Sequence, residues 1–466
     1  MYSICCKLCA DPTLAVMRAR RTIVFAMAGI LLPAQLYLRS FAAENASGQT
    51  IEQIDRSLVL EFIKLARFNI KFHLEANRQP SWRTALYAAG REAGTAVSFS
   101  SSLVDLRQRV RVLRDPALVQ KNELRNAINL GLVGSTISGS VSAGELSRSL
   151  WVSVRAAQHG YSAKDSAGFV KSVKDETDEL LAARKLLVAN RAGDERPLLE
   201  LEQLLFRRIQ RQLLAEFVSW SAHSRDREWR ENTFYAIDSS QNFLRMGALI
   251  LALRGFKHPN LGGPSVISTL VANSLATANP IVSTLAGALI RNQRMRKLSA
   301  ELEVPEKPSG LYRKRFEEKV DELDPEVLAK VDDKYLRETL MLSERAQRMD
   351  VNLRRETGEI ERLQEIAQQQ MISGPLIGLT GVSATILGTV AFYGYRHDRV
   401  GANHLLFPAR ITQISGQSTA LILTPYTIIS GFVRNSRLKR RGELPSQLLE
   451  QRLRNLDALE QQIRSE

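Results

Sequence analysis

Two patterns of apolar and polar positions alternate along this chain, and each predicts a different kind of helix. In the first, apolar side chains recur every three or four positions among charged ones. Ile51, Ile54, Leu58, Phe62 and Leu65 do this, which predicts an amphipathic helix over 51–74 that breaks at Gln79-Pro80-Ser81. Leu201, Leu204, Leu205, Ile209 and Leu213 mark one face of a long charged helix over roughly 174–230, interrupted near Ala192-Gly193-Asp194. Val320, Leu323, Val327, Val331, Leu336, Leu340, Ile360 and Leu363 carry the same stripe through 316–366, and Leu449, Leu453, Leu456, Leu459 and Ile463 carry it through the tail after Pro445. Such stripes mark packed, coiled-coil-like helical seams.

In the second pattern charge disappears. Residues 258–290, 371–395 and 411–433 are free of Asp, Glu, Lys and Arg, and each run exceeds the roughly 18 residues that suggest a transmembrane helix. Residues 84–104, which hold Arg91 and Glu92, and the Ser- and Gly-rich run 126–144 form a weaker first pair. Residues 232–253 are apolar apart from Asp238 and Arg245, two charges whose burial in lipid would call for a functional reason. Arg396, Arg399 and Arg410 are expected in a loop between the last two runs.

Small residues recur at four-residue spacing in these runs: Gly374 and Gly378, Ala272 and Ala276, Ser283 and Gly287, Gly416 and Ala420. In a membrane this spacing lets helix backbones approach closely, so these positions are the expected packing contacts. Basic clusters close two of the runs. Arg291, Arg294, Arg296 and Lys297, then Arg434, Arg437, Lys439, Arg440 and Arg441, are expected to meet anionic lipid headgroups.

The order of segments suggests an internal repeat. PIVSTLAGALIRNQRMRK from Pro280 parallels PYTIISGFVRNSRLKRR from Pro425, and GALILALRGFKHPN from Gly247 parallels GTVAFYGYRHDRVGAN from Gly388. At the N-terminus, Arg18, Arg20 and Arg21 precede the uncharged stretch 22–38 and the small-x-small Ser40-Phe41-Ala42, the pattern of a secretory signal or an uncleaved anchor. Orientation is contested between two rules. A signal leaves the following residues outside, whereas the basic connectors belong inside.

Composition narrows the classes. With 44% hydrophobic and 24% charged residues the chain can bury a core, which excludes wholesale disorder. The net charge of +15 favours polyanionic neighbours, and no nucleic-acid module or stacked-aromatic motif supports nucleic acid as that neighbour. All 3 cysteines, Cys5, Cys6 and Cys9, lie at the start, so the remainder can form neither disulfides nor thiolate metal sites. No phosphate loop, dinucleotide fingerprint, HExxH or GxSxG elbow occurs. His397 and His404 share a loop without the additional ligands a metal needs. Trp220 to Asn232 is dense in Trp, Arg and polar groups, as at a headgroup-level belt.

The expected fold is therefore all-α: an integral membrane protein of repeated apolar helical hairpins joined by long amphipathic helices. Its segments are a signal or anchor (1–42), an amphipathic helix with a first hairpin (43–160), a charged helix with a second hairpin (161–300), a coiled-coil-like helix with a third hairpin (301–442) and a C-terminal amphipathic helix (443–466). The leading expected function is a membrane-embedded scaffold presenting helical arms, in a bacterial-type inner membrane, with anionic lipid and a second copy or another helical protein as partners. The alternative is a channel or transporter using polar residues in the spans, and the third reading is a lipid-acting enzyme. No enzymatic activity, cofactor or metal is expected in the leading reading.

Overall fold

The computed structural model describes residues 50–76, 81–115, 120–190, 196–304, 370–395, 398–442 and 445–465. The expected signal over 1–42, the three cysteines, His397 and the seam over 316–366 lie outside these residues. Among the described residues the chain is all-helical, without strands. In chain order the helices are α1 (Ile51–Ala76), α2 (Ser81–Arg114), α3 (Lys121–Gln158), α4 (Ala163–Ala189), α5 (Arg196–Gly255), α6 (Gly262–Glu301), α7 (Gln370–Gly394), α8 (Arg399–Arg441) and α9 (Pro445–Ser465), with a 3-10 turn at Pro259–Leu261 before α6.

Local chemistry fixes several starts. Thr50 and Gln53 form a reciprocal cap on α1: the Thr50 amide donates to Gln53 Oε1 (3.1 Å) and the Gln53 amide to Thr50 Oγ1 (3.3 Å). Ser162 accepts from the Asp165 amide at 3.0 Å and starts α4 in the same way. Asp398 Oδ1 accepts from the Val400 and Gly401 amides at 3.0 and 2.9 Å. That cap explains a departure from expectation. Arg399 and Arg410 are not in a loop but in α8, which starts twelve residues ahead of the uncharged run at Ile411. Likewise 232–253 is no separate helix. It is the C-terminal part of α5, which is 60 residues long.

The described residues fall into two compact units. In the first, made of residues up to Phe62 together with Val173–Gln210, Arg184 is fully buried. Its guanidinium pairs with Asp55 through Nε (2.6 Å) and Nη2 (3.2 Å), donates to the Leu199 carbonyl (2.7 Å), pairs with Glu202 and lies 5.2 Å from the Phe206 ring centroid. A buried arginine is tolerable only when its donors are met this completely. Ile54, Leu58, Val59 and Leu205 are buried in the same unit.

The second unit holds the rest, and its amphipathic parts carry a core of large apolar groups. Leu65, Ile70, Val170, Leu214, Phe217, Leu298 and Leu449 are buried there. Phe68 packs 4.3 Å from Phe169 and 6.3 Å from Phe217, ring centroid to centroid. The α9 helix is fastened to the same core: Arg67 pairs with Asp457 (2.6 Å) and Glu460, and Arg452 with Glu216 (2.8 Å). Hydrogen bonding from Arg67 holds the Glu460 carboxyl below the usual carboxylate range. The α9 stripe Leu449, Leu456 and Ile463 is buried within the chain.

Candidate functional site

Three helical hairpins of the second unit form a closed ring. They are α2 with α3, the C-terminal part of α5 with α6, and α7 with α8. Packing contacts join α2 to α3, α3's partner α2 to α8, α8 to α7 and α7 to α6. Ser142 of α3 donates to Asp238 of α5, and Ser265 of α6 donates to the Ala248 carbonyl of α5 at 2.7 Å. The circle therefore runs α2, α3, α5, α6, α7, α8 and back to α2, each helix beside its neighbours in sequence. Pro280 and Pro425 occupy the second helices of the last two hairpins, and Gly247 and Gly388 the first helices, so the segments that look alike in sequence hold corresponding places in the ring.

Small residues let these helices touch backbone to backbone. A Cβ on Gly94 would stand 2.8 Å from the Gly134 carbonyl oxygen, and a Cβ on Gly134 would stand 2.6 Å from that of Gly94. A Cβ on Gly378 would meet the Thr277 amide nitrogen at 2.8 Å, and one on Gly287 the Asp226 carbonyl at 2.8 Å. Gly416 faces Thr380 across α7 and α8, with Thr380 Cβ 2.9 Å from such a Cβ. Ala272, Ala276, Ser283 and Ala420 are buried, and Gly374 is helical in α7. Gly94 and Gly134 belong to the weaker first pair of runs, and the four-residue spacings Gly94–Ser98 and Gly134–Ser138 were the signal that identifies them.

The basic clusters stand at the C-terminal ends of α6 and α8. Arg296, Lys297, Arg437, Lys439, Arg440 and Arg441 are exposed. Arg434 is in α8. Arg291 and Arg294 are only half-exposed and make protein contacts: Arg291 lies 3.7 Å from Asp226, and Arg294 donates to the Ala163 carbonyl at 2.7 Å.

The interior of the ring is unlike an ordinary core. Its buried apolar residues are almost all alanine (Ala127, Ala248, Ala272, Ala276, Ala384, Ala391, Ala409, Ala420), set among buried Ser, Thr, Asn, Gln and Asp. The large apolar side chains point the other way. Val133, Ile267, Ile281, Leu285, Leu289, Ile386, Ile422 and Ile429 are exposed, Ile422 to 71%.

The ring surrounds a partly open cavity of about 580 Å³, lined by residues of all six helices. It takes the C-terminal parts of α2, α5 and α7 and the N-terminal parts of α3, α6 and α8. The helix ends at Arg114, Gly255 and Gly394 consequently share its end of the ring, and the basic clusters share the other. A smaller space of about 40 Å³ continues from it, and Ser98, Arg245 and Gln417 line both.

Charge inside the ring is organised in three places. Near the turns, buried Asp105 pairs with Arg410 of α8 (2.5 Å) and Arg109 (3.4 Å). On the far side, fully buried Asp238 pairs with Arg91 at 3.2 Å and also accepts from Ser142, Tyr87 (3.4 Å) and Gln241 (2.5 Å). Between them, Arg245 donates through Nη2 to Asn273 Oδ1 at 2.6 Å, Asn273 Nδ2 donates to Thr385 Oγ1 at 2.7 Å, and Thr385 donates to the Gly381 carbonyl at 2.6 Å. Asp238 and Arg245, the two charges singled out in the sequence, are both inside the ring, and the partner of Asp238 is Arg91. Gln241 Oε1, Asn279 Oδ1 and Gln417 Oε1 are buried and meet no donor among the described residues. Such amides can present either end to a guest.

Asn273, Thr385 and Gln417 were not picked out by motif reasoning. Their signal is a polar stripe at helical spacing within apolar runs: Ser265, Thr269 and Asn273; Arg410, Gln413 and Gln417; Ser98, Ser102, Asp105 and Arg109. No group of three or more His, Cys, Asp or Glu that could hold a metal occurs among the described residues. His404 is in α8. By length and composition, the segment Pro259–Glu301 is long and apolar enough to cross a membrane, and Gly378–Gly394 is a shorter apolar segment. No protein-family model matches the chain, and no curated protein or solved structure matches it.

Proposed function

We propose that the six-helix ring is a membrane-embedded unit that binds a polar solute in its cavity and conducts or transports it. One observation carries this reading: the ring is polar and charged within and apolar without, the reverse of a water-soluble bundle. The hydroxyl content of the helices, which lowers their hydropathy, is compatible with lipid. Thr136, Ser415 and Thr419, exposed on the outside, each donate to the carbonyl four residues earlier, at 2.8, 3.0 and 2.9 Å. A hydroxyl satisfied by its own helix asks nothing of the solvent.

The three hairpins act as a repeated unit, with turns at one end and basic clusters at the other. By the positive-inside rule the clusters face the cytoplasm and the larger cavity lies toward the opposite face. One of the seams a scaffold would present, the α9 stripe, is covered inside the chain, and the 316–366 seam lies outside the described residues.

The test uses a background in which Cys5, Cys6 and Cys9 are replaced, with single cysteines introduced as Thr385→Cys and Ile422→Cys in protein reconstituted into liposomes. A membrane-impermeant thiol reagent should modify the first and spare the second, and the liposomes should pass a small polar solute. Equal modification of both positions would sink the membrane reading, and a tight liposome would remove transport. Reporter fusions at 160, 305 and 460 should all report the cytoplasmic side.

A further inference from the structure

Resting on that reading, we propose that the cavity selects an organic anion, with a carboxylate head held by Arg245 and an apolar body lying against the wall above it. Four guanidiniums line the two spaces, those of Arg91, Arg109, Arg245 and Arg410. Two carboxylates answer them: Asp238 pairs with Arg91, and Asp105 with Arg109 and Arg410. Among the described residues no carboxylate forms an ion pair with Arg245, whose guanidinium has an amide as its hydrogen-bond partner. A guanidinium carries five N–H donors in a fork matched to a carboxylate, and inside a protein an uncompensated charge attracts a counter-ion strongly.

Its position is as telling as its charge. Arg245 lines both spaces, so a guest bound to it occupies the middle of the ring. The relay through Asn273, Thr385 and the Gly381 carbonyl ties one edge of the fork across α5, α6 and α7. Toward the turns Leu249, Val266, Phe392 and Leu406 line the wall beside the paired Asp105, Arg109 and Arg410. A guanidinium at the floor with an apolar strip on the wall above it fits an amphipathic acid, and a volume of about 580 Å³ falls in the range of small-molecule sites. Inorganic anions would satisfy the floor and leave the wall unused.

Protection of the Thr385→Cys thiol from modification tests the proposal, with the protein in phosphatidylcholine nanodiscs and octanoate, octylammonium and sulfate as probes. Octanoate should slow modification, octylammonium should not, and sulfate should do so only at much higher concentration. Arg245→Gln should raise the octanoate concentration needed at least tenfold, while Arg245→Lys should lose less. If Arg245→Gln does not assemble, Asn273→Asp gives the same discrimination, because the new carboxylate would pair with Arg245 and displace octanoate. Protection by octylammonium equal to that by octanoate, or undiminished octanoate protection in Arg245→Gln, overturns the anion assignment. So does a reactive thiol that octanoate fails to protect, an outcome that leaves the cavity itself standing. A thiol at 385 that no polar reagent reaches overturns the cavity and the anion together.

Discussion

Within one unit, the chain builds two interiors that follow opposite rules. Around Phe68, Phe72 and Phe217 it buries Leu, Ile and Phe and admits charge only as a pair, Glu216 with Arg452. In the ring it buries Ala, Ser, Asn and paired charge and leaves Leu and Ile outside. The first interior gains its stability from apolar area withdrawn from water. The second cannot, because its largest apolar groups are still on the surface. Close backbone approach, at Gly94–Gly134 and Gly378–Thr277, and buried polar pairing must supply what apolar burial does not. On the membrane reading proposed above, the difference teaches that the two regions are matched to two solvents.

The largest effects should come from crossing the two logics. Phe217→Ala should cost about 3–5 kcal/mol, as for other buried aromatic truncations. In the ring a loss of the same size should require removing a charge. Asp238→Ala takes a buried carboxylate from Arg91, and breaking a buried pair in this way costs about 3–5 kcal/mol. Chemical unfolding in detergent checks both. If Asp238→Ala is as mild as a surface change, the polar interior is not what holds the ring.

Acid should separate the regions next. The His73 ring lies 4.4 Å from Trp220, centroid to centroid, and burial, reinforced by Arg227 and His223, presses its pKa down to about 4. A folded-state pKa below the unfolded value of about 6.5 means that the neutral form stabilises the fold. That contribution is intact above pH 6.5, fades as the pH falls toward 4 and does not decline further below it. The imidazole is largely buried, so the loss is on the order of 3 kcal/mol. Trp220 is adjacent, so fluorescence-detected unfolding between pH 7 and 4 should show it, and His73→Gln should flatten the profile. A profile unchanged in His73→Gln would assign the acid sensitivity to other groups.

Helix type and most of the ring's anatomy were legible in the sequence for a physical reason. Period and charge are local properties, and the stripe from Ile51 to Leu65 or the uncharged run from Met371 to Tyr395 needs no partner to be recognised. Partnership is non-local. Arg91 and Asp238 are separated by all of α3 and α4 and by parts of α2 and α5, and nothing in either neighbourhood says that they meet. Asn273 and Gln417 read as residues that weaken a span, until the ring turns their shared stripe inward. The start of α8 was misjudged because Arg399 and Arg410 resemble loop residues, whereas Asp398 caps one end and Asp105 pairs with the other arginine.

Smaller effects test the contact between helices. Gly134→Ala places a methyl group against the Gly94 carbonyl, which cannot yield as a flexible side chain would, and should cost about 1–3 kcal/mol through overpacking. Gly144→Ala is the control on the same helix, since a Cβ there meets nothing within 4 Å. It should be neutral or slightly stabilising through helix propensity. Equal effects at 134 and 144 would mean that α2 and α3 are not in backbone contact.

The smallest expected effect is the sharpest test of the two-solvent comparison. Ile422 is as large as the residues that dominate the other interior, yet it stands 71% exposed on α8. If lipid or detergent surrounds it, Ile422→Ala exchanges one apolar contact for another and should change stability by less than about 0.5 kcal/mol, as at other surface positions. The same substitution would be costly if a second protein surface covered that face, because the cavity left behind adds to the lost transfer energy. Measured in parallel with Phe217→Ala in several detergents, the ratio of the two losses reports what touches the ring. A ratio near one would replace lipid with protein as the neighbour of α8 and return weight to the scaffold reading.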